Sequence, residues 1–287
     1  MEKFQLSKEK TSWLLVSPLV ITLTVFLVLP IITIGIVSFW DYNEYDFFPA
    51  FILENYAYLL TSMVTLDTYL KTFKFVALTW LCCTVIGFTV AYFLAFHVRS
   101  LVFQIALFLL CTIPFWTSNI IRMISWIPFL GRNGIANSIL TELGVIDQPL
   151  EWLLFSDFSV VLAFVHLYAL FMVIPVFNTM MRIDKSLIEA AKDAGASGFQ
   201  ILTNLIIPLS KPGIMIGSIF VITLVMGDFI TVRFMSGGQS ASVGRVISNE
   251  IALLQYPAAA ASAVVLLVTV LIMIGIMMRF VDIRKEL

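Results

Sequence analysis

Charge is what this sequence has least of. Only 12% of its 287 residues are Asp, Glu, Lys or Arg, while 60% are hydrophobic. A soluble domain carries roughly 25% charged and about 45–50% apolar residues. The scarcity excludes a water-bathed globule, and a mean hydropathy of +1.01 agrees. The net charge of −1 gives no bulk attraction to nucleic acid. The three cysteines, Cys82, Cys83 and Cys111, lie in apolar runs and form no C-x-x-C pair, so no disulfide framework is expected. With two histidines and no clustered His, Cys, Asp or Glu, neither a metal centre nor a nucleophilic triad is expected. No glycine is followed by lysine, so the phosphate loop G-x-x-x-x-G-K-[ST] is missing. The chain is expected to bind no cofactor and to catalyse no chemistry.

What the sequence has is long apolar runs. A hydrocarbon core of about 30 Å needs roughly 20 helical residues. Six runs qualify: 13–40, 75–98, 101–121, 158–181, 209–232 and 258–280. They are continuous rather than alternating, which excludes a barrel. Trp13 to Trp40 holds no charge over 28 residues, longer than a signal-peptide core, and reads as a retained first span. Pro18, Pro30, Pro114 and Pro175 lie inside spans and predict kinks. The expected fold is all-α, a single transmembrane domain over residues 1–287 with six helices.

Lys and Arg set the orientation. With the N-terminus inside, eleven of the 17 basic residues fall on the cytoplasmic side and eleven of the 18 acids fall outside or near the outer end. The bias favours N-in and C-in. An acidic outer face suits a cationic ligand or a basic docking partner; it also fits acids that merely face water. The stretch "GRNGIANSILTELGVI" in the outer loop reads as a short interfacial helix.

One polar stretch, Glu189 to Ile214, interrupts the runs between spans four and five, and overlaps the predicted cytoplasmic segment 182–208. Ser186 and Glu189 fit the capping box S-x-x-E, which predicts a short helix through "LIEAAKDA". Gly195 and Gly198 permit a sharp turn after it. "FQILTNLII" then resumes a helix, and Pro208 and Pro212 mark the turn into span five. Such a small helix–turn–helix suits a groove on a cytoplasmic partner; an ordinary loop whose Glu caps a helix remains the alternative.

The stretch "EAAKDAGASGFQILTNLIIP" resembles the EAA signature of permease subunits in prokaryotic ATP-binding cassette importers. Glu189, Ala190, Ala191, Gly195 and Pro208 match at its spacing, with Leu205 and Ile207 as apolar exchanges. "IPFWTSNIIR", "LGRNGIANSIL", "LGVIDQPL" and "IIPLSKPGI" extend the likeness to the first permease subunit of spermidine/putrescine importers. The resemblance implies a type I importer permease in the bacterial inner membrane. It also implies a second homologous permease, an ATPase dimer that binds ATP and Mg, and an external solute-binding protein. Ser186, Glu189, Ala190, Ala191, Asp193, Gly195 and Ala196 would form the coupling helix that docks on the ATPase. Whether Glu189 only caps that helix or also pairs with the ATPase stays open.

Ionisable groups inside a bilayer are costly and mark wet cavities or pathways. Asp228, near the outer end of span five, reads as a site for a substrate amine, as a gate, or as an acid paired with Arg122 or Arg233. Trp116, Asn119, Arg122 and Trp126 gather where span three leaves the bilayer, as a cation-holding aromatic wall or as an interfacial belt. His166, at mid-depth in span four, reads as a hydrogen-bonded packing residue. The expected function is half of an ATP-driven, alternating-access pathway for a polyamine such as spermidine or putrescine. The alternatives are an importer of an opine, an aminophosphonate or another small organic ion, and an ion-coupled secondary transporter.

Overall fold

The computed structural model describes residues 8–43 and 46–280. Charges counted above at Lys3, Glu44, Arg284 and Lys285 lie outside them. Residue contacts divide the described chain into two units.

The first unit takes residues up to Ser62 with Ile247–Leu267. Its span α1, Trp13–Val37, ends in a tight knot. Asn55 donates to the carbonyls of Ser38 and Trp40, and Ser38 and Tyr56 share a 2.6 Å hydroxyl bond. These groups satisfy polar atoms that the helix end leaves over. A two-stranded antiparallel pair follows, β1 (Asp41–Tyr42) and β2 (Phe47–Phe48), with Asp41 opposite Phe48. Helix α2, Glu54–Thr61, closes the segment.

The second unit takes Met63–Val246 with the described residues from Val268. It holds α3 (Met63–His97), α4 (Leu101–Thr112), α5 (Asn119–Ile124), α6 (Trp126–Leu130) and α7 (Ile135–Glu142). Then come α8 (Asp157–Met180), α9 (Lys185–Asp193), α10 (Gly198–Gly227) and α11 (Ile230–Met235). Two further helices, α12 (Val243–Ala252) and α13 (Tyr256–Phe280), run from one unit into the other.

Helices α3, α8 and α10 pack on one another and form the core of this unit. Phe75, Cys83, Phe164, Met172, Val176 and Val221 are buried there. Lipid supplies no hydrophobic drive between helices, so close backbone approach over small residues must hold them. Gly213 provides it: a β-carbon there would lie 2.5 Å from the Pro175 carbonyl oxygen of α8. At the far end of the bundle, Lys74 of α3 pairs with Asp157 of α8 at 2.8 Å, and Ser240 donates to the same carboxylate.

Among the described residues, five helices are long and apolar enough to span a membrane, or six if one bent pair counts as a single span. Three spans differ from the sequence expectation. The second begins at Met63, not 75, because Lys71 and Asp67 pair one turn apart on an exposed helical face. The third is not one rod: Leu101–Trp116 and Asn119–Glu142 meet at 92°. Pro114 is the second residue of the tightened last turn, Ile113–Trp116, before that bend. The fifth starts at Gly198 and stops at Gly227 rather than covering 209–232. No turn forms at Pro208 or Pro212. A π-type turn at Leu202–Ile206 precedes Pro208 and absorbs the amide it lacks, so the helix runs through both prolines.

Candidate functional site

The polar stretch folds into a short, closed helix and turn. Asp184, with an extended backbone, caps α9 by accepting the Ser186 amide at 2.9 Å. That bond holds the Asp184 carboxyl below the usual range. The capping box expected at Ser186 and Glu189 is therefore not formed: a carboxylate two residues earlier takes the position. Glu189 stands exposed, one turn into the helix. At the other end Gly195 adopts φ +82°. Its amide donates to the Lys192 carbonyl at 2.8 Å and the Ala196 amide to Ala191 at 2.9 Å. This is the double closure of a Schellman motif, which explains why the signature carries glycine there.

A capping box does occur, at Ser197 and Gln200, and opens α10 at once. None of α9 is buried, and Leu187 and Phe199 expose large apolar side chains. Of the residues expected to form the coupling helix, Ser186, Glu189, Ala190, Asp193 and Gly195 are exposed, while Ala191 and Ala196 are half-buried. Beside the turn, between α8 and α10, a cavity of ≈ 600 Å³ is lined by Pro175, Asn178, Arg182 and Pro212.

The second feature lies where α10 ends. Asp228 breaks the helix, and its carboxylate accepts three hydrogen bonds. Thr231 gives its amide at 2.8 Å to one oxygen and its hydroxyl at 2.8 Å to the other. Tyr168 of α8 gives its hydroxyl at 2.6 Å to that second oxygen. The neighbouring backbone is held as well: Ser242 donates to the Asp228 carbonyl. A cavity of ≈ 340 Å³ opens here, lined by Asn119, Met123, Tyr168, Thr223 and Asp228 among others, with no basic residue in its wall.

The structure thus brings Asn119 and Asp228 together and leaves the rest of the expected cluster aside. Arg122 is buried, but its guanidinium donates to Asn119 and lies 5.9 Å over the Phe115 ring, so it forms no ion pair with Asp228. Trp126 donates to His166 Nδ1 at 3.0 Å and stacks edge-on against it. Trp116 is 80% exposed and does not line the cavity. Arg233, the other partner weighed for Asp228, sits on the exposed side of α11. Tyr168 escaped the sequence because it lies in an apolar run where an aromatic reads as packing. Its one signal was a hydroxyl at the depth of an intramembrane acid.

The first unit has a cavity of its own, ≈ 580 Å³, lined by Asp41, Tyr42, Glu54, Asn55, Tyr58 and Glu250. Burial pushes the Glu250 carboxyl up, against the Ser262 hydroxyl that donates to it at 3.3 Å. Burial, then the Glu250 charge, raises the Tyr42 hydroxyl.

Residues 84–285 match the model of a family described as the binding-protein-dependent transport system inner membrane component. The spermidine/putrescine transport system permease protein PotB of Escherichia coli is 34% identical over 258 residues, covering 89% of this chain and 91% of that protein. Among solved structures, a chain of a bacterial ABC transporter involved in the import of the acidic polysaccharide alginate superposes with TM-score 0.77. Its identity is 19%, over 94% of this chain and 96% of that one. A bacterial alginate ABC transporter in complex with an alginate-pentasaccharide-bound periplasmic protein superposes with TM-score 0.76 at 18% identity, over 93% of each chain.

Proposed function

Because this chain belongs to the family of binding-protein-dependent transport system inner membrane components, we propose that its cargo is a polyamine such as spermidine or putrescine. The chain is a multi-pass inner-membrane permease subunit of an ABC importer; it transports and is not an enzyme. Its fold does not choose the cargo, since chains of the same fold serve import of an acidic polysaccharide. The observation that carries the polyamine reading is the 34% identity to PotB along nearly the whole chain. The Asp228 cavity, acidic and without a basic wall residue, is compatible with an ammonium group.

In this reading the chain pairs with a second permease, and α9 docks in a groove of a separate ATPase dimer that binds ATP and Mg. An external binding protein delivers the solute, which passes Asp228 and Asn119. Alternating access is the mechanism proposed, and one feature of the geometry supports it. Helix α10 is continuous for 30 residues, about 45 Å at 1.5 Å per residue. A displacement of the docking turn is therefore carried along one rod to the break at Asp228.

The test is uptake of radiolabelled putrescine and spermidine by cells lacking their own polyamine uptake, after expression of this chain with its neighbouring permease, ATPase and binding protein. ATP-dependent uptake is expected. Uptake of an aminophosphonate or opine in the same cells, with none of either polyamine, overturns the cargo.

A further inference from the structure

We infer that Tyr168 is a displaceable latch on Asp228, and that a primary ammonium group in the adjoining cavity takes its place and frees the α10 break from α8. This rests on the polyamine reading above.

The geometry separates two jobs at one carboxylate. Both bonds from Thr231 are local, three residues along the chain, and fix the side chain while satisfying one free amide of the first turn of α11. The bond from Tyr168 crosses to another helix. Loss of the crossing bond alone would leave the break shaped but untied. Tyr168 is only 5% exposed, and its ring lies against Phe164 and Phe171, so the hydroxyl is held in place rather than free to swing away.

The donors at Asp228 are all neutral: a phenol, an alcohol and an amide. Arg122 stands within electrostatic reach of Tyr168 but directs its guanidinium to Asn119 and the Phe115 ring. The phenol bond to a carboxylate is already charge-assisted, but an ammonium adds the attraction between two full opposite charges, which grows where water screens them little. An ammonium entering the cavity therefore outcompetes the phenol at the shared oxygen. A neutral solute has no such advantage, and an anion is repelled. The latch opens selectively for a cation.

Its opening has somewhere to act. The break is the end of the 30-residue rod that starts at the docking turn. A cation that binds the unlatched state better than the latched one shifts the rod toward it, and linkage makes the effect reciprocal.

The experiment uses the purified importer complex without its binding protein, titrated calorimetrically with putrescine, together with its solute-free ATP hydrolysis. Tyr168→Phe keeps the ring and removes the competing donor. It is expected to bind putrescine about tenfold more tightly, as removal of one hydrogen bond to a charged group predicts. It is also expected to raise solute-free hydrolysis several-fold. Asp228→Asn is expected to abolish binding. Were Tyr168 merely structural, its Phe variant would bind more weakly or equally and hydrolyse no faster; that result overturns the latch and leaves polyamine transport standing. A wild-type complex that neither binds nor imports putrescine or spermidine overturns both readings.

Discussion

Gly213 and Gly217 face the same helix, α8, yet their neighbours differ in what can yield. A β-carbon on Gly213 meets the Pro175 carbonyl and the Thr179 hydroxyl at 2.5 Å, and the carbonyl is backbone. On Gly217 it meets first the Met172 sulfur at 2.6 Å, the end of a flexible side chain, with the Met172 backbone at 3.0 Å. Overpacking costs roughly 1–3 kcal/mol, and Gly213→Ala is expected at the upper end, with Gly217→Ala below it. Thermal unfolding in mild detergent ranks the two; an equal or reversed order contradicts the close-approach account. Glu250 offers a pH-dependent case. Its folded value lies above the unfolded one because of burial, so its contribution favours folding at low pH and is lost as pH rises through the raised value. Glu250→Gln is expected to raise the melting temperature at pH 8, with the gain shrinking toward the ordinary carboxylate range. A gain that grows on acidification refutes this. At the α10 break the sequence exposed Asp228 by its depth in an apolar run, and Asn119 with it. Tyr168 and Asp184 were hidden because their roles depend on partners: one lies across a helix pair, the other competes with a more familiar cap at Ser186.

At the scale of elements, the docking turn was legible because its chemistry is local. The spacing from Glu189 to Pro208 placed a helix, and Gly195 ended it as expected. What followed was misjudged for a physical reason. Prolines signal a break only where the helix cannot re-form its bonds around them, and the π-type turn at Leu202–Ile206 lets it do so. The continuity of α10 changes what a defect at the turn should do. Replacing Gly195 by Val forces a β-branched residue into φ +82°, at roughly 1–2 kcal/mol or more. The Schellman closure loosens while the apolar spans are untouched. Gly195→Val is therefore expected to insert normally but to copurify with about 5–30-fold less ATPase. Undiminished copurification with solute-stimulated hydrolysis removes the coupling role of the turn. A charge reversal, Glu189→Arg, separates the two roles left open for that residue. Asp184 already caps the helix, so a loss of ATPase association in this variant points to pairing across the interface.

For the whole molecule, hydropathy came within one of the number of spans, five or six as the bent pair is counted, because burial in lipid is an additive property of a run. It missed the 92° bend between Leu101–Trp116 and Asn119–Glu142, because bending depends on what the bent halves rest against. Orientation is a property of the whole chain that charge counting alone addresses. With eleven of 17 basic residues on one side, the turn at Gly195 is expected in the cytoplasm and α7 outside. Both carry exposed positions suited to a single cysteine: Glu142 at the end of α7 and Ser186 in α9. The native cysteines lie within the spans or at the end of α4, Cys83 fully buried. In cells with a permeable outer membrane, a membrane-impermeant maleimide is expected to label Glu142→Cys at once. Ser186→Cys should react only after the inner membrane is opened. The reverse pattern would place the turn at Gly195 on the side without ATP, and no ATPase could then drive the rod that leads to Asp228.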